Sequence, residues 1–144
     1  MPVANLHVLA GHPRENLKSW IRETSQALSD ILAAPKDRLE VWVTEIDPDL
    51  WGISGDPASE VLGHTPRHDA EMPFIRMVLM EGRTVDQLHR VIAELTAITA
   101  RLIDVDAERI RVHIEHAHPD RWGIGGVPAS IRRAAELAAR QKAG

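Results

Sequence analysis

The decapeptide LWGISGDPAS, residues 50–59, returns as RWGIGGVPAS, residues 121–130. Its two tryptophans, Trp51 and Trp122, are 71 residues apart, and that offset holds without a gap from 2–59 onto 73–130. Pro2 falls on Pro73, Gly11 on Gly82, Leu17 on Leu88, Glu23 on Glu94, Arg38 on Arg109 and Val41 on Val112. About 16 of these 58 pairs are identical, where ordinary composition gives roughly 4. The chain is a tandem duplication, so its fold must be built from two copies of one unit. A unit of about 60 residues buries too little surface to be stable alone, which makes the copies pack together. The division is a first unit over 2–59, a joint over 60–72, a second unit over 73–130 and a tail over 131–144. The joint, EVLGHTPRHDAEM, is polar and holds Gly63 and Pro66, the composition of a linker.

Each copy reads strand, helix, strand. VANLHVL and FIRMVLM are short apolar strands. Leu17, Trp20, Ile21, Leu28, Ile31 and Leu32 form the apolar face of one helix; Leu88, Ile92, Leu95, Ile98 and Leu102 form that of the other. Thr84, followed by Asp86 and Gln87, marks a helix start. In the second strands, Leu39, Val41 and Val43 alternate with Glu40, Trp42 and Thr44. Ile110, Val112 and Ile114 alternate in the same way with Arg111, His113 and Glu115. A turn or tight hairpin at WGI follows, and its glycines serve special backbone angles. The helix crossover makes the strands of a copy parallel, connected right-handedly. The expected class is α+β, two tandem β-α-β units packed as one four-stranded sheet with two helices. The tail segment SIRRAAELAARQ reads as one amphipathic helix.

Composition removes several functions. Hydrophobic residues are 44% and charged residues 26%, an ordinary globular balance. The net charge of -4, with no basic run, argues against nucleic acid. No apolar stretch approaches the roughly 20 residues of a membrane helix, and no signal-peptide pattern is present. Cysteine is absent, which removes thiol chemistry and fits a cytoplasmic protein. A base or nucleophile must come from Ser, Thr, His, Lys, a carboxylate or a terminal amine. His113, His116 and His118 do not converge on an extended strand, so no metal site is expected there.

With proline after the initiator Met, then EGR, RIRVHIEHA and RWGIGGVPAS, the duplicated unit resembles 4-oxalocrotonate tautomerase, in the fused branch of the tautomerase superfamily. The resemblance implies a cofactor-free isomerase of aromatic catabolism that interconverts enol and keto forms of a small-molecule 2-oxo acid, such as 2-hydroxymuconate or an arylenolpyruvate. It implies a homotrimer imitating a hexamer of single units. It makes Pro2 the catalytic base and carries the two substrate-binding arginines onto Arg83 and Arg111, with Trp122 as the aromatic wall. Copy one has His12, Glu40 and Trp51 at those places. The expected working site therefore joins Pro2 to Arg83, Arg111 and Trp122, while Pro73, His12 and Glu40 share an opposite site without amine or arginines. Trp122 also reads as plain packing. Arg132 and Arg133 are candidates for a further arginine of the tail.

The chemistry of the residues agrees. Pro73 is an internal amide, whereas Pro2 becomes a secondary amine once Met1 is removed. A terminal amine titrates near ~7.7–8.0, and burial beside arginines lowers that value toward the pH at which a base works. Arginine grips a carboxylate bidentately and stabilises a developing enolate oxygen. Two other readings stand beside this one. Within the superfamily, dehalogenation is disfavoured because Ile53 and Ile124 stand where those enzymes place Glu. Decarboxylation or hydration of small acids keeps a foothold in Asp37, near the position of the decarboxylase Asp. The third reading is an inert trimeric binding protein.

Overall fold

The computed structural model describes residues 1–143. One mixed sheet carries the fold, formed by β1 (Val3–Leu9), β2 (Glu40–Ile46), β5 (Phe74–Met80) and β6 (Arg111–Ala117) in the order β2-β1-β5-β6. Each copy contributes a parallel pair: Val3 stands opposite Glu40 in the first and Phe74 opposite Arg111 in the second. The copies meet through β1 and β5, which run antiparallel with Val3 opposite Val78 and His7 opposite Phe74. The helices α1 (Arg14–Leu32) and α4 (Val85–Ile103) cross one face of the sheet and pack on each other. The architecture is the expected α+β arrangement, with the two units completing one core.

The helix faces explain that packing. Leu17, Trp20, Thr24, Leu28, Ile31 and Leu32 are buried on α1. On α4 the buried set is Val91, Leu95, Ile98, Thr99 and Ile103. This differs from the expected face: Ile92 is 39% exposed, and Leu88 and Leu102 are only half-buried. The offset of 71 accounts for the correction, because Val91, Leu95, Thr99 and Ile103 are the counterparts of Trp20, Thr24, Leu28 and Leu32. Trp20, too large for a second tryptophan across the helix interface, meets the small Thr99. Its indole N–H donates to Thr99 Oγ1 at 2.9 Å, so a buried donor is satisfied within the core. Thr84 caps α4 through a reciprocal box with Gln87. The helices end alike, at Ala33 and Asp104 in left-handed conformation.

Each WGI segment is a minimal hairpin. β3 (Gly52–Ile53) pairs with β4 (Asp56–Pro57), and later β7 (Gly123–Ile124) pairs with β8 (Val127–Pro128). Two consecutive residues of positive φ turn each one, Ser54 and Gly55 in the first and Gly125 and Gly126 in the second, as a two-residue hairpin of primed type requires. The joint is more structured than a polar linker. The helix α2 (Ala58–Val61) runs into it from the first unit, it contains α3 (Arg67–Ala70), and it buries Val61, Ala70 and Glu71. The tail is not one helix. α5 (Ala129–Arg132) stops at Arg133, whose φ of -118 and ψ of 22 leave the helical region, and α6 (Ala134–Ala143) begins afresh.

Candidate active site

A cavity of ≈ 340 Å³ opens at the end of the sheet where β1 begins. Pro2 lies in its wall, with Arg83, Trp122 and Ile124 from copy two. The strand directions dictate this company. In the antiparallel contact of β1 with β5, the start of one strand meets the end of the other, so Met80 and Arg83 arrive at Pro2. The hairpin after β6 reaches the same end and delivers Trp122.

The same rule corrects two expectations. Parallel strands start together, so the first residue of β2 lies beside its own copy's proline. Glu40 donates its backbone N–H to the Pro2 carbonyl at 3.1 Å and lines the cavity; it does not belong to the Pro73 end. Arg111 donates its backbone N–H to the Pro73 carbonyl at 3.1 Å. Its guanidinium is exposed and donates to the carbonyls of Glu108 and Ile110, and it is not in the wall of the Pro2 cavity. Of the candidate site residues, the structure brings together Pro2, Arg83 and Trp122 and leaves Arg111 at the opposite end.

The cavity is rich in guanidinium groups. Arg38 comes from the single turn Lys36–Arg38, Arg83 from the loop before α4, and Arg133 and Arg140 from the tail. Arg38 is neutralised by Glu136 at 2.8 Å, an ion pair that ties α6 across the cavity rim. Arg83 is half-buried and donates to the carbonyl of Leu32. Burial, reinforced by the like charge of Arg140, lowers its pKa to about 10. The terminal amine, carried by Met1, donates to the Arg38 carbonyl at 3.0 Å. Burial holds that amine below its ordinary 8.0; Glu40 opposes the shift, and Arg133, Arg38 and Arg83 add to it. The surroundings therefore favour a neutral amine, the form that accepts a proton. Arg133 lines the cavity and Arg132 does not. Asp37 also lines it. Glu136 and Arg140 were not foreseen, because nothing in the repeat points to a tail that has no counterpart in copy one; Arg38 entered the sequence reading only as a matched pair with Arg109.

At the Pro73 end the joint fills the space. Glu71 is 0% exposed, and its carboxylate accepts the Leu9 N–H at 2.9 Å. His12 Nε2 stands 2.8 and 3.0 Å from its two oxygens, and Arg67 donates at 3.4 Å. Trp51 packs against the apolar cluster of Leu9, Ile53, Ala58, Val61 and Ala70. The two ends thus differ in kind, one an open cavity and the other sealed by the chain's own carboxylate. The signal for this lay in the sequence as Glu71 just ahead of Pro73, within a joint that reads as polar throughout.

Comparison with known proteins converges on the same architecture. The family model described as tautomerase enzyme matches twice, over residues 2–60 and 73–132. The 2-hydroxymuconate tautomerase of Pseudomonas fluorescens is 43% identical over 61 residues, spanning 42% of this chain and 97% of that protein. The 2-hydroxymuconate tautomerase of Comamonas testosteroni is 33% identical over the same shares. Among solved structures, native fused 4-OT superposes with a TM-score of 0.79 at 28% identity, covering 93% of this chain and 98% of that one. An asymmetric trimer of a wild-type fused 4-OT gives 0.77 at 28% identity, covering 92% and 98%. With two matched units, one continuous sheet and the shared architecture of fused 4-OT, the chain belongs to the tautomerase family.

Proposed function

We propose that the chain is a cofactor-free keto–enol tautomerase of 2-oxo acids, of the 2-hydroxymuconate or arylenolpyruvate kind, with Pro2 as its base. The observation that carries this reading is the single cavity shared by Pro2, Arg83 and Trp122. In the proposed reaction, Met1 has been removed and the Pro2 nitrogen is a neutral secondary amine. It takes the proton of the enol hydroxyl and returns it to a carbon of the conjugated chain, so the reaction balances without a co-reactant. Arg83 holds a carboxylate of the substrate, and a guanidinium charge offsets the oxygen charge that develops in between. Trp122 walls the cavity and limits the water that reaches the base. The names of the relatives support the isomerase class, and 2-hydroxymuconate is the substrate class they favour.

The active form is a homotrimer. The outer strands β2 and β6 leave two open sheet edges on each chain, and Trp42 stands 44% exposed on one of them. A ring of three joins the β2 edge of one chain to the β6 edge of the next. Arg111, remote from the Pro2 of its own chain, serves the Pro2 cavity of a neighbour.

A second reading rests on Asp37, a carboxylate in the same cavity that would suit decarboxylation of a small 3-oxo acid. One experiment separates the two. Protein with an intact mass lacking Met1 is assayed with 2-hydroxymuconate, phenylenolpyruvate and malonate semialdehyde. The tautomerase reading expects ketonisation of an enol acid, lost when Met1 is retained and reduced in Pro2→Ala. Turnover confined to malonate semialdehyde would transfer the site to the second reading, and full turnover by Pro2→Ala would remove Pro2 from the mechanism.

A further inference from the structure

The sealed end of the molecule describes how the open end binds. At the Pro73 end a buried carboxylate, that of Glu71, is held by the Leu9 N–H, the His12 side chain and the Arg67 guanidinium. Arg67 lies directly over Gly11, where a Cβ would meet its guanidinium nitrogen at 3.0 Å. The repeat carries Leu9 onto Met80, His12 onto Arg83 and Gly11 onto Gly82. At the Pro2 end an arginine again crosses the equivalent glycine, since a Cβ on Gly82 would meet Arg140 Cδ at 3.3 Å. Met80 and Arg83 line the cavity beside it. The Glu81 N–H turns to Ala117 on β6, so the alternation of the strand turns the Met80 N–H the other way, toward the Pro2 end. Arg140 is the residue that offset alignment cannot find. Its counterpart by position is Asp69, whereas its counterpart in space is Arg67.

We propose that Arg140, on the tail helix, is a substrate-binding residue that grips the carboxylate of the bound acid together with Arg83, in the manner that Arg67 and His12 grip Glu71. The proposal rests on the tautomerase reading of the cavity. Among the described residues neither Arg83 nor Arg140 has a carboxylate within ion-pair distance. Arg83 moreover bears the like charge of Arg140. Two adjacent guanidinium groups that no carboxylate reaches within ion-pair distance form a site that an anion stabilises. The geometry also gives the tail a function. Ion-paired to Arg38 through Glu136, α6 brings Arg140 over the cavity.

The test compares wild type, Arg140→Met, Arg140→Lys and, as a control on the same helix, the exposed Lys142→Met. Binding of 2-oxoadipate, a saturated dicarboxylate that cannot ketonise, is measured by calorimetry, and ketonisation of phenylenolpyruvate by steady-state kinetics. Arg140→Met is expected to weaken 2-oxoadipate binding and raise KM about 10- to 100-fold, with kcat within about threefold of wild type. Arg140→Lys is expected to recover part of the loss, and Lys142→Met to match wild type. Unchanged binding in Arg140→Met, or wild type that does not bind 2-oxoadipate, overturns the proposal. So does a loss of binding that Lys142→Met shares. Wild type that binds 2-oxoadipate through Arg140 yet turns over no enol acid upholds the carboxylate grip and overturns the tautomerase reading.

Discussion

Arg83 and His12 stand at the same place in the two copies and have opposite partners. His12 faces the buried carboxylate of Glu71; Arg83 faces a cavity. Their substitutions should part accordingly. Arg83→Ala is expected to lower kcat/KM roughly 30- to 1000-fold, the equivalent of about 2–4 kcal/mol of transition-state stabilisation, with little change in melting. His12→Ala leaves a buried carboxylate short of a partner and should cost about 1–3 kcal/mol of stability, read from urea unfolding, with turnover per folded chain unchanged. If His12→Ala abolished turnover in an intact trimer, the assignment of the live site would have to move to the Pro73 end. The Pro2 amine can be tested by pH. The cavity depresses the Met1 amine by burial and by Arg133, Arg38 and Arg83, and a Pro2 amine exposed by removal of Met1 would face the same groups. A base works unprotonated, so kcat/KM should rise with pH through one ionisation below that of a solvated N-terminal proline and be flat above it. A limb centred at or above the ionisation of a solvated N-terminal proline would contradict a buried base.

At the scale of elements, the sequence showed which copy each group came from but not where it would go. The repeat, the β-α-β order, the Thr84 cap and the two-faced second strands were all legible, since each follows from local pattern. The placement of Arg111 and Glu40 was not, because it depends on a tertiary fact: β1 pairs parallel with β2 but antiparallel with β5. Groups at the start of a second strand stay with their own proline, and groups past the end of a first strand cross to the other. The face of α4 was missed because Ile92 and Leu102 are apolar enough to suit the period. What decides the face is the match to α1, where Trp20 needs Thr99 opposite. Trp20→Ala should therefore cost about 3–5 kcal/mol, measured by urea unfolding, through the cavity it leaves between the helices. Trp20→Phe should cost far less, because Thr99 keeps its own bond to the Leu95 carbonyl at 2.7 Å. Equal losses for the two variants would mean that the indole hydrogen bond, rather than volume, holds the helices together.

The whole molecule raises the question of what duplication achieved. Two identical ends would give two equal sites, but only Pro2 can become an amine, and the joint has closed the other end with Glu71. The cavity at Pro2 remains open, still without Arg111. If Arg111 acts across a chain boundary, two impaired variants should repair each other. Pro2→Ala chains keep Arg111 but lack the full base; Arg111→Ala chains keep the base but lack the arginine. A ring in which an Arg111→Ala chain receives Arg111 from a Pro2→Ala neighbour has one competent site. Random assembly from equal amounts of the two chains gives about a quarter of all sites that pairing. Co-refolding the two variants should therefore raise turnover from the low level of either alone to about a quarter of wild type. Light scattering must report trimers throughout, since a stable monomer would remove the boundary itself. Turnover that stays at the mean of the two parents would return Arg111 to a role within its own chain, and the geometry of β6 allows it none at Pro2.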